Sequence, residues 1–543
     1  MEMHFATVWE SLADVIGDAT AIVHGDTRRT WTEYDNRSAR IAAAYVDAGL
    51  VPDSKVGLFL YNSNEYLEAQ YAAFKMRGVP VNVNYRYLDE ELWYLLDNSD
   101  AEALVFHSSL GDRVARIIGR LPKIKLLIEV DDGGTQQVDG ARSYDQIVAG
   151  YDPMPRITRD ESDIYMLYTG GTTGMPKGVM YEMGGMTGGF ITSGFPLVGA
   201  APITEAALVA SAVTDIVGAG NQIISIPSCP LMHGTGLWLG AFIPHLMGGS
   251  VITLPSRSLD SDELLTTVQN EKATSVVIVG DSFAKPIVRA LEAAIEAGKP
   301  FDTTTLKMVV SSGVMWTSEV KAEMLELIPQ AVLLDAMGSS EGSMGMQISM
   351  RGMPIETAKF SQSPTTKVFT DDDREVVAGS GEAGMVAAGG NVPIGYFKDP
   401  EKSARTFRTI RGVRYSFPGD MATVNADGSL ALLGRGSQVI NTAGEKVFPE
   451  EVEEAVKRSE GVLDCLVVGV DDEKFGQSVT AVASLAEGAT IDEATIIASV
   501  KGQLAGYKAP KRVIFVSAVP RAPNGKADYK AAKQQALEAL GKA

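Results

Sequence analysis

The run 168–178, YTGGTTGMPKG, sets glycines and threonines around a single lysine. Glycine lets backbone N–H groups approach an anion closely, threonine hydroxyls add donors, and Lys177 adds positive charge. Together these residue types can bind phosphate. The order of residues excludes a Walker A loop, which needs GxxxxGK[ST]; here Pro176 precedes Lys177 and Gly178 follows it. The plain alternative is a glycine-rich surface turn, but the apolar run DIYMLY leads straight into the loop as a strand would. Other groups with chemical potential are Ser340 and Glu341 in DAMGSSEG (335–342), Asp420 in YSFPGD (415–420) and Arg435 in GRGSQ (434–438). Lys526 in PRAPNGKADYK (520–530) and His233 in CPLMHGTGLW (229–238) complete the set. Taken singly each has an ordinary role: a helix cap for the serines, a turn for the aspartate, a solvated charge for Lys526 and a structural imidazole for His233.

The elements that must position these groups alternate along the chain. KVGLFLYN (55–62), ALVFHSS (103–109), KLLIEVD (125–131), SVVIVGD (275–281) and KMVVSSG (307–313) are short apolar runs of the kind that form buried strands. Amphipathic stretches such as 66–78 and 261–273 lie between them and predict helices. The pattern predicts a layered α/β architecture with largely parallel sheets. From about 380 the texture changes. A hairpin and turn are expected over 428–440, then helix, strand, turn and strand over 448–485. A helix at about 492–505, a strand at 511–520 and a basic tail follow. Residues 435–543 thus read as a compact α+β domain behind a large N-terminal domain, 1–434, with the boundary at 434–438.

Composition narrows the function classes. The 543 residues are 45% hydrophobic and carry a net charge of −20, with a pI near 4.8. Such a chain is globular, and its charge argues against nonspecific binding to nucleic acid or anionic membrane. Cys229 and Cys465 lie in apolar surroundings without zinc-ligand spacing. The N-terminus has acidic residues where a signal peptide has basic ones, and the apolar stretch 206–226 is interrupted by Asp215 and Asn221. A cytoplasmic protein with no membrane span is expected.

In series, the motifs resemble those of the adenylate-forming enzymes: acyl-CoA synthetases, peptide-synthetase adenylation domains and beetle luciferase. The loop 168–178 is similar to their signature loop, with Gly170 where serine is usual. The resemblance makes Thr169, Gly170, Gly171, Thr172, Thr173, Gly174 and Lys177 nucleotide-phosphate ligands. DAMGSSEG resembles the family's Y-G-x-T-E, which puts Met337, Gly338 and Ser339 beside the nucleotide, Ser340 at the α-phosphate and Glu341 on Mg²⁺. Gly313, in SSGVMW, falls in the same nucleotide set. YSFPGD resembles Y-x-T-G-D, so Asp420 is expected on the ribose hydroxyls. GRGSQVINTAGEKVFPEEVE (434–453) is similar to the domain junction: Arg435 contacts ribose or phosphate, Ser437 stands at the usual hinge residue, and Gly444 faces CoA. Lys526 takes the place of the adenylation lysine. His233 matches the histidine near the acyl carboxylate.

The resemblance implies a large α/β domain followed by a small mobile α+β domain. It also implies a two-step reaction in which a carboxylate attacks the α-phosphate of ATP and a thiol then attacks the acyl-adenylate. ATP, CoA and a carboxylic acid are the small-molecule partners, Mg²⁺ is the cofactor, and a homodimer is allowed for. The segment 184–200 and the stretch around His233 are small and apolar, and no basic residue is offered to a second carboxylate. A hydrophobic monocarboxylic acid is therefore expected. The resemblance is to the actinobacterial type of fatty-acyl-CoA synthetase, some of which act on steroid side chains. Two other readings compete: loading of a separate carrier protein, and a noncatalytic nucleotide-binding protein. Retention of Lys177, Glu341, Asp420, Arg435 and Lys526 argues against the second.

Overall fold

The computed structural model describes the chain from Met1 to Lys542 apart from residues 137, 172–173, 443–444, 473–475 and 523–525. It divides into two compact units. The first comprises Met1–Ser343, Gln347–Thr357 and Gly390–Ser416; the second comprises Met344–Met346, Ala358–Gly389 and Phe417–Ala543.

Two parallel sheets dominate the first unit. One runs in the order Val79–Asn82, Lys55–Phe59, Ala101–His107, Leu126–Val130 and Ala141–Ser143, every neighbouring pair parallel. Its central strands carry the apolar runs 56–59, 103–106 and 126–128 because both faces are covered. Val56 and Leu58 enter one core with Ala103 and Val105, while Phe59, Leu104 and Phe106 enter another. The other sheet places Thr20–His24, Ser250–Thr253, Ile224–Pro227, Ser275–Ile278, Met308–Ser312 and Val332–Ser339 side by side, again parallel. Helices Ser261–Glu271, Asp281–Glu296 and Ser318–Leu327 lie between its strands in sequence and bury Leu264, Val288 and Met324 in one core with Val276 and Leu333.

The apolar run before the phosphate loop is a strand, as expected, and it belongs to a small antiparallel sheet. Ile164–Gly171 pairs antiparallel with Gly174–Glu182, and Gly395–Tyr396 adds a third strand. The loop is therefore the tip of a hairpin, with Thr169 opposite Lys177 and Gly171 opposite Gly174. The stretch after it is a helix, Met183–Gly194, despite its glycines.

In the second unit, Lys359–Gln362, Leu430–Arg435, Asp420–Val424, Ala383–Ala388 and Thr366–Phe369 form antiparallel pairs. Val462–Asp472 and Gly476–Leu485 form a long hairpin, joined in parallel by Arg512–Phe515. Alternate residues of that hairpin face two cores. Cys465 and Val467 meet helices Pro449–Lys457 and Glu493–Gln503, while Leu466 and Val468 meet Ala532 and Ala536. Those alanines belong to helix Tyr529–Ala539, so the expected basic tail is an ordered element. Gly434, at φ +109°, needs glycine twice over. Its backbone is left-handed, and a Cβ there would stand 1.9 Å from the Glu450 carboxylate.

Candidate functional site

The hairpin is held from its base upward. Arg77 grips Asp163 with Nε and Nη2 at 2.6–3.1 Å, one residue before the first strand. Burial alone would raise the Asp163 carboxyl, but His4 and Arg77 outweigh it and hold it at about 2. Nearer the tip, the buried Asn82 amide pairs with the Tyr168 backbone. This fixed base presents Thr169 and Lys177 at the loop.

Lys177 forms an ion pair with Asp399. The Asp399 side chain also accepts from Lys402 N (3.0 Å), capping helix Pro400–Thr406. The Lys177 ammonium holds the Asp399 carboxyl below its ordinary range. The Lys402 ammonium lies 5.0 Å from the centre of the Tyr396 ring. Burial pushes its pKa down, and repulsion from Lys177 adds to that. Tyr396 in turn donates its hydroxyl to Glu341 Oε1 at 2.8 Å. Two lysines and two carboxylates thus gather around one tyrosine, a set suited to the phosphates of a nucleotide.

Ser340 and Glu341 form the turn between strands Val332–Ser339 and Gly342–Ser349. Ser339 Oγ accepts from Glu341 N at 3.1 Å, so this serine shapes the turn as an ST motif and not as a helix cap. Tyr181, on the second strand of the phosphate hairpin, donates its hydroxyl to the Ser340 carbonyl at 3.0 Å. Burial and the negative charge of Glu341 push the Tyr181 phenol well above its ordinary range. Met337 is buried at 5% exposure. Gly313 adopts φ +91° just past strand Met308–Ser312, a left-handed position that suits glycine.

His233 is half-buried, and its carbonyl accepts from Leu237 N at 3.0 Å as the chain enters the wide helix Thr235–Phe242. Trp238 on that helix donates its indole N–H to Tyr165 Oη (2.8 Å). Its ring meets Tyr181 edge-on at 6.3 Å and Phe190 at 6.0 Å. Phe190 lies on helix Met183–Gly194, whose Gly189 is exposed and has nothing within 4 Å of where a Cβ would be. An aromatic wall therefore runs from the helix of small residues to the turn that bears Glu341.

The second unit carries the remaining candidates. Asp420 and Arg435 are register partners on neighbouring strands. Lys526 is exposed, and its carbonyl accepts from Ala522 N at 2.8 Å. Arg521, beside it, is held bidentately by Asp464 at 2.7 Å. Thr172, Thr173 and Gly444 lie outside the described residues. Among the described residues no group of three or more His, Cys, Asp or Glu side chains could hold a metal ion. A single carboxylate such as Glu341 fits Mg²⁺ that takes its other ligands from phosphates and water.

Sequence reasoning missed Asp399, Lys402, Tyr396, Asn82 and the tyrosine–tryptophan wall. Most of these gave no local signal, because each meets the site through a contact far along the chain. Asn82 did leave a trace, being a polar residue inside the apolar run VPVNV.

Known proteins resemble this chain along nearly its whole length. The family described as AMP-binding enzyme matches residues 9–397, and the AMP-binding enzyme C-terminal domain matches 451–526. A 3-oxocholest-4-en-26-oate–CoA ligase of Rhodococcus rhodochrous is 37% identical over 555 residues, covering 98% of this chain and 96% of that one. The medium-chain acyl-CoA ligase Mig of Mycobacterium avium is also 37% identical, covering 98% of each. Among solved structures, ATP-bound MatB from Rhodopseudomonas palustris superimposes with a TM-score of 0.80 at 25% identity, covering 99% of this chain and 100% of that one. Among the described residues no helix is long and apolar enough to cross a membrane.

Proposed function

Because the chain belongs to the AMP-binding enzyme family, we propose that it is an ATP-dependent acyl-CoA ligase for a hydrophobic carboxylic acid, of medium chain or longer or as bulky as a steroid side chain. It adenylates the acid, releases pyrophosphate and passes the acyl group to CoA with release of AMP. The observation that carries the substrate class is Tyr181. Its hydroxyl holds the Ser340 carbonyl while its ring abuts Trp238, so an apolar wall meets the nucleotide turn directly.

A carboxylate is a poor acyl donor because its leaving group is oxide. Transfer to AMP replaces oxide with a phosphate monoester. In this reading the hairpin loop and Lys177 hold the β- and γ-phosphates, and Ser340 meets the α-phosphate. His233 lies beside the acid, whose apolar tail runs along Phe190 and Trp238. Asp420 and Arg435 bind ribose, and Lys526 neutralises charge growing at the α-phosphate. Glu341 would hold Mg²⁺, which supplies charge neutralisation on the phosphate oxygens. The work is positioning and electrostatics, with no covalent protein intermediate. Burial pushes the Cys229 thiol up to about 12, in keeping with a packing role. Residues 435–543 are proposed to turn about 434–438 between the two steps, bringing Gly444 toward CoA. The relatives named for fatty and steroid acids support the same substrate class.

The test is pyrophosphate release and thioester formation across acids from acetate to octanoate plus a steroid acid, with and without CoA. Each buried methylene is worth about 0.8 kcal/mol, so kcat/KM is expected to climb with chain length until the pocket fills. A preference for acetate or a dicarboxylate overturns the apolar pocket. Adenylate formation without transfer to CoA moves the reading to a carrier-protein acceptor, and no acid-dependent pyrophosphate release at all would falsify it.

A further inference from the structure

Asn82 ends strand Val79–Asn82 and is buried, at 7% exposure. Its Oδ1 accepts from Tyr168 N at 2.7 Å, and its Nδ2 donates to Tyr168 O at 2.8 Å. One amide thus exchanges two hydrogen bonds with one backbone residue, as a neighbouring strand would. Tyr168 is already paired on its other side with Gly178 of the hairpin. Asn82 therefore closes the open edge of the hairpin strand one residue before Thr169, where the phosphate loop begins. The same Nδ2 donates its second hydrogen to Met232 O at 2.7 Å, one residue before His233. A buried asparagine has two N–H donors, and both are committed here.

This connection lies nearest the loop: the other hydrogen bond described between these regions, from Trp238 to Tyr165 Oη, starts five residues past His233 and meets the hairpin strand three residues before Tyr168. Segment 229–232 has other supports: Asn62 donates to Cys229 O (3.1 Å) and accepts from Leu231 N (2.8 Å), and Tyr66 donates to Leu231 O (3.3 Å). Among the described residues neither of these reaches the hairpin through a hydrogen bond. Asn82 does, joining two segments 64 residues apart in sequence, Tyr168 and Met232.

We infer that Asn82 is a positioning residue for adenylation: its amide sets the distance between the phosphate loop and His233, and so between the α-phosphate and the attacking carboxylate. This rests on the acyl-adenylating reading above. An in-line attack depends steeply on that distance, and a misplacement of about 1 Å can cost about 10²-fold. The effect falls on kcat of the first half-reaction, because ATP and the acid each keep their own contacts. It does not fall on thioester formation, in which the pyrophosphate has already left.

The experiment compares wild type, Asn82→Leu, Asn82→Asp and Tyr144→Phe. Tyr144→Phe removes a buried hydrogen bond to Glu68 (2.6 Å) of the same unit and serves as the stability-only reference. Acid-dependent ATP–pyrophosphate exchange reads the first half-reaction; CoA transfer from supplied acyl-adenylate reads the second. Melting temperature is followed for all four. Asn82→Leu is expected to lose about 10²-fold in exchange kcat with the KM for ATP within about 3-fold, and to keep its rate of CoA transfer. Asn82→Asp sets a carboxylate against two carbonyls. Protonation restores one donor, so its activity should recover as the pH is lowered, which wild type should not do. If wild type itself shows no acid-dependent exchange, the acyl-adenylating reading fails. If wild type is active and Asn82→Leu matches it, the inference about Asn82 fails alone. It also fails if both half-reactions fall together, if the loss is no larger than in Tyr144→Phe at equal loss of melting temperature, or if Asn82→Asp has the pH profile of wild type.

Discussion

The ion pair between Lys177 and Asp399 poses a question with a measurable answer, namely whether Asp399 occupies the lysine that the nucleotide needs. Asp399→Asn removes one negative charge and keeps a side-chain oxygen to accept from Lys402 N, so helix Pro400–Thr406 stays capped. The two side chains are 30% and 27% exposed. Water screens such a pair, and comparable pairs contribute about 0.2–1 kcal/mol. If phosphate displaces the carboxylate, that contribution returns as affinity, and ATP should bind roughly 1.4- to 5-fold more tightly to the variant. Calorimetric titration with ATP at low and high salt reads the change, and the gain should shrink as salt screens the pair in the parent protein. The pH dependence has a defined sign. Lys177 depresses the Asp399 carboxyl, so the pair is intact above the ordinary aspartate range and is lost only as pH falls through the lowered value. The difference between variant and parent should therefore be flat from about pH 6 to 8. Weaker ATP binding by Asp399→Asn would refute the reasoning, because it would mean that Asp399 orients Lys177 for the nucleotide instead of competing for it.

Three other outcomes are expected. Lys526→Ala should lose about 10²-fold or more in adenylate formation yet still make thioester from supplied adenylate; equal losses in both steps would remove the two-step role of the small domain. Glu341→Gln should raise the Mg²⁺ concentration needed for half-maximal exchange, and an unchanged requirement counts against the metal role. In the second unit, burial and the charge of Glu450 push the Glu453 carboxyl up to about 8 from 4.5. The native state therefore holds a proton that the unfolded chain has released, and stability should fall as pH rises from about 4.5 to 8. Thermal melts at pH 5 and pH 8 should show that slope in the parent and a flatter one in Glu453→Gln.

How much of this was legible in the sequence depended on where each signal lay. Parallel strands such as Lys55–Phe59 announced themselves because both faces are buried and every position after Lys55 is apolar or small. The hairpin partner Gly174–Glu182 did not, since Pro176 and its flanking glycines have low strand propensity and yield to tertiary pairing. Helix Met183–Gly194 was hidden by glycines that disfavour helix, and Tyr529–Ala539 by burying little more than alanines. Motif residues of the first unit emerged in order, and the contacts drawn above join Lys177, Ser340 and Glu341 through Asp399, Tyr181 and Tyr396. Those connecting residues could not be read, because Lys177 and Asp399 stand 222 positions apart and Tyr396 and Glu341 stand 55 apart. Local periodicity carries no information over such separations.

The aromatic wall also gives the protein a built-in optical reporter. Of its five tryptophans, Trp9, Trp31 and Trp316 are sealed in the cores at 0–1% exposure, and Trp93 lies under the Arg120 guanidinium at 4.3 Å. Trp93 and Trp238 are both half-buried, and of the two Trp238 borders the candidate site, with its indole N–H tied to Tyr165 and His233 five residues before it. If the proposed carboxylic acid settles on that wall, it removes water from the Trp238 indole. Emission intensity and wavelength can then follow acid binding in real time without a label, and Trp238→Phe supplies the silent background.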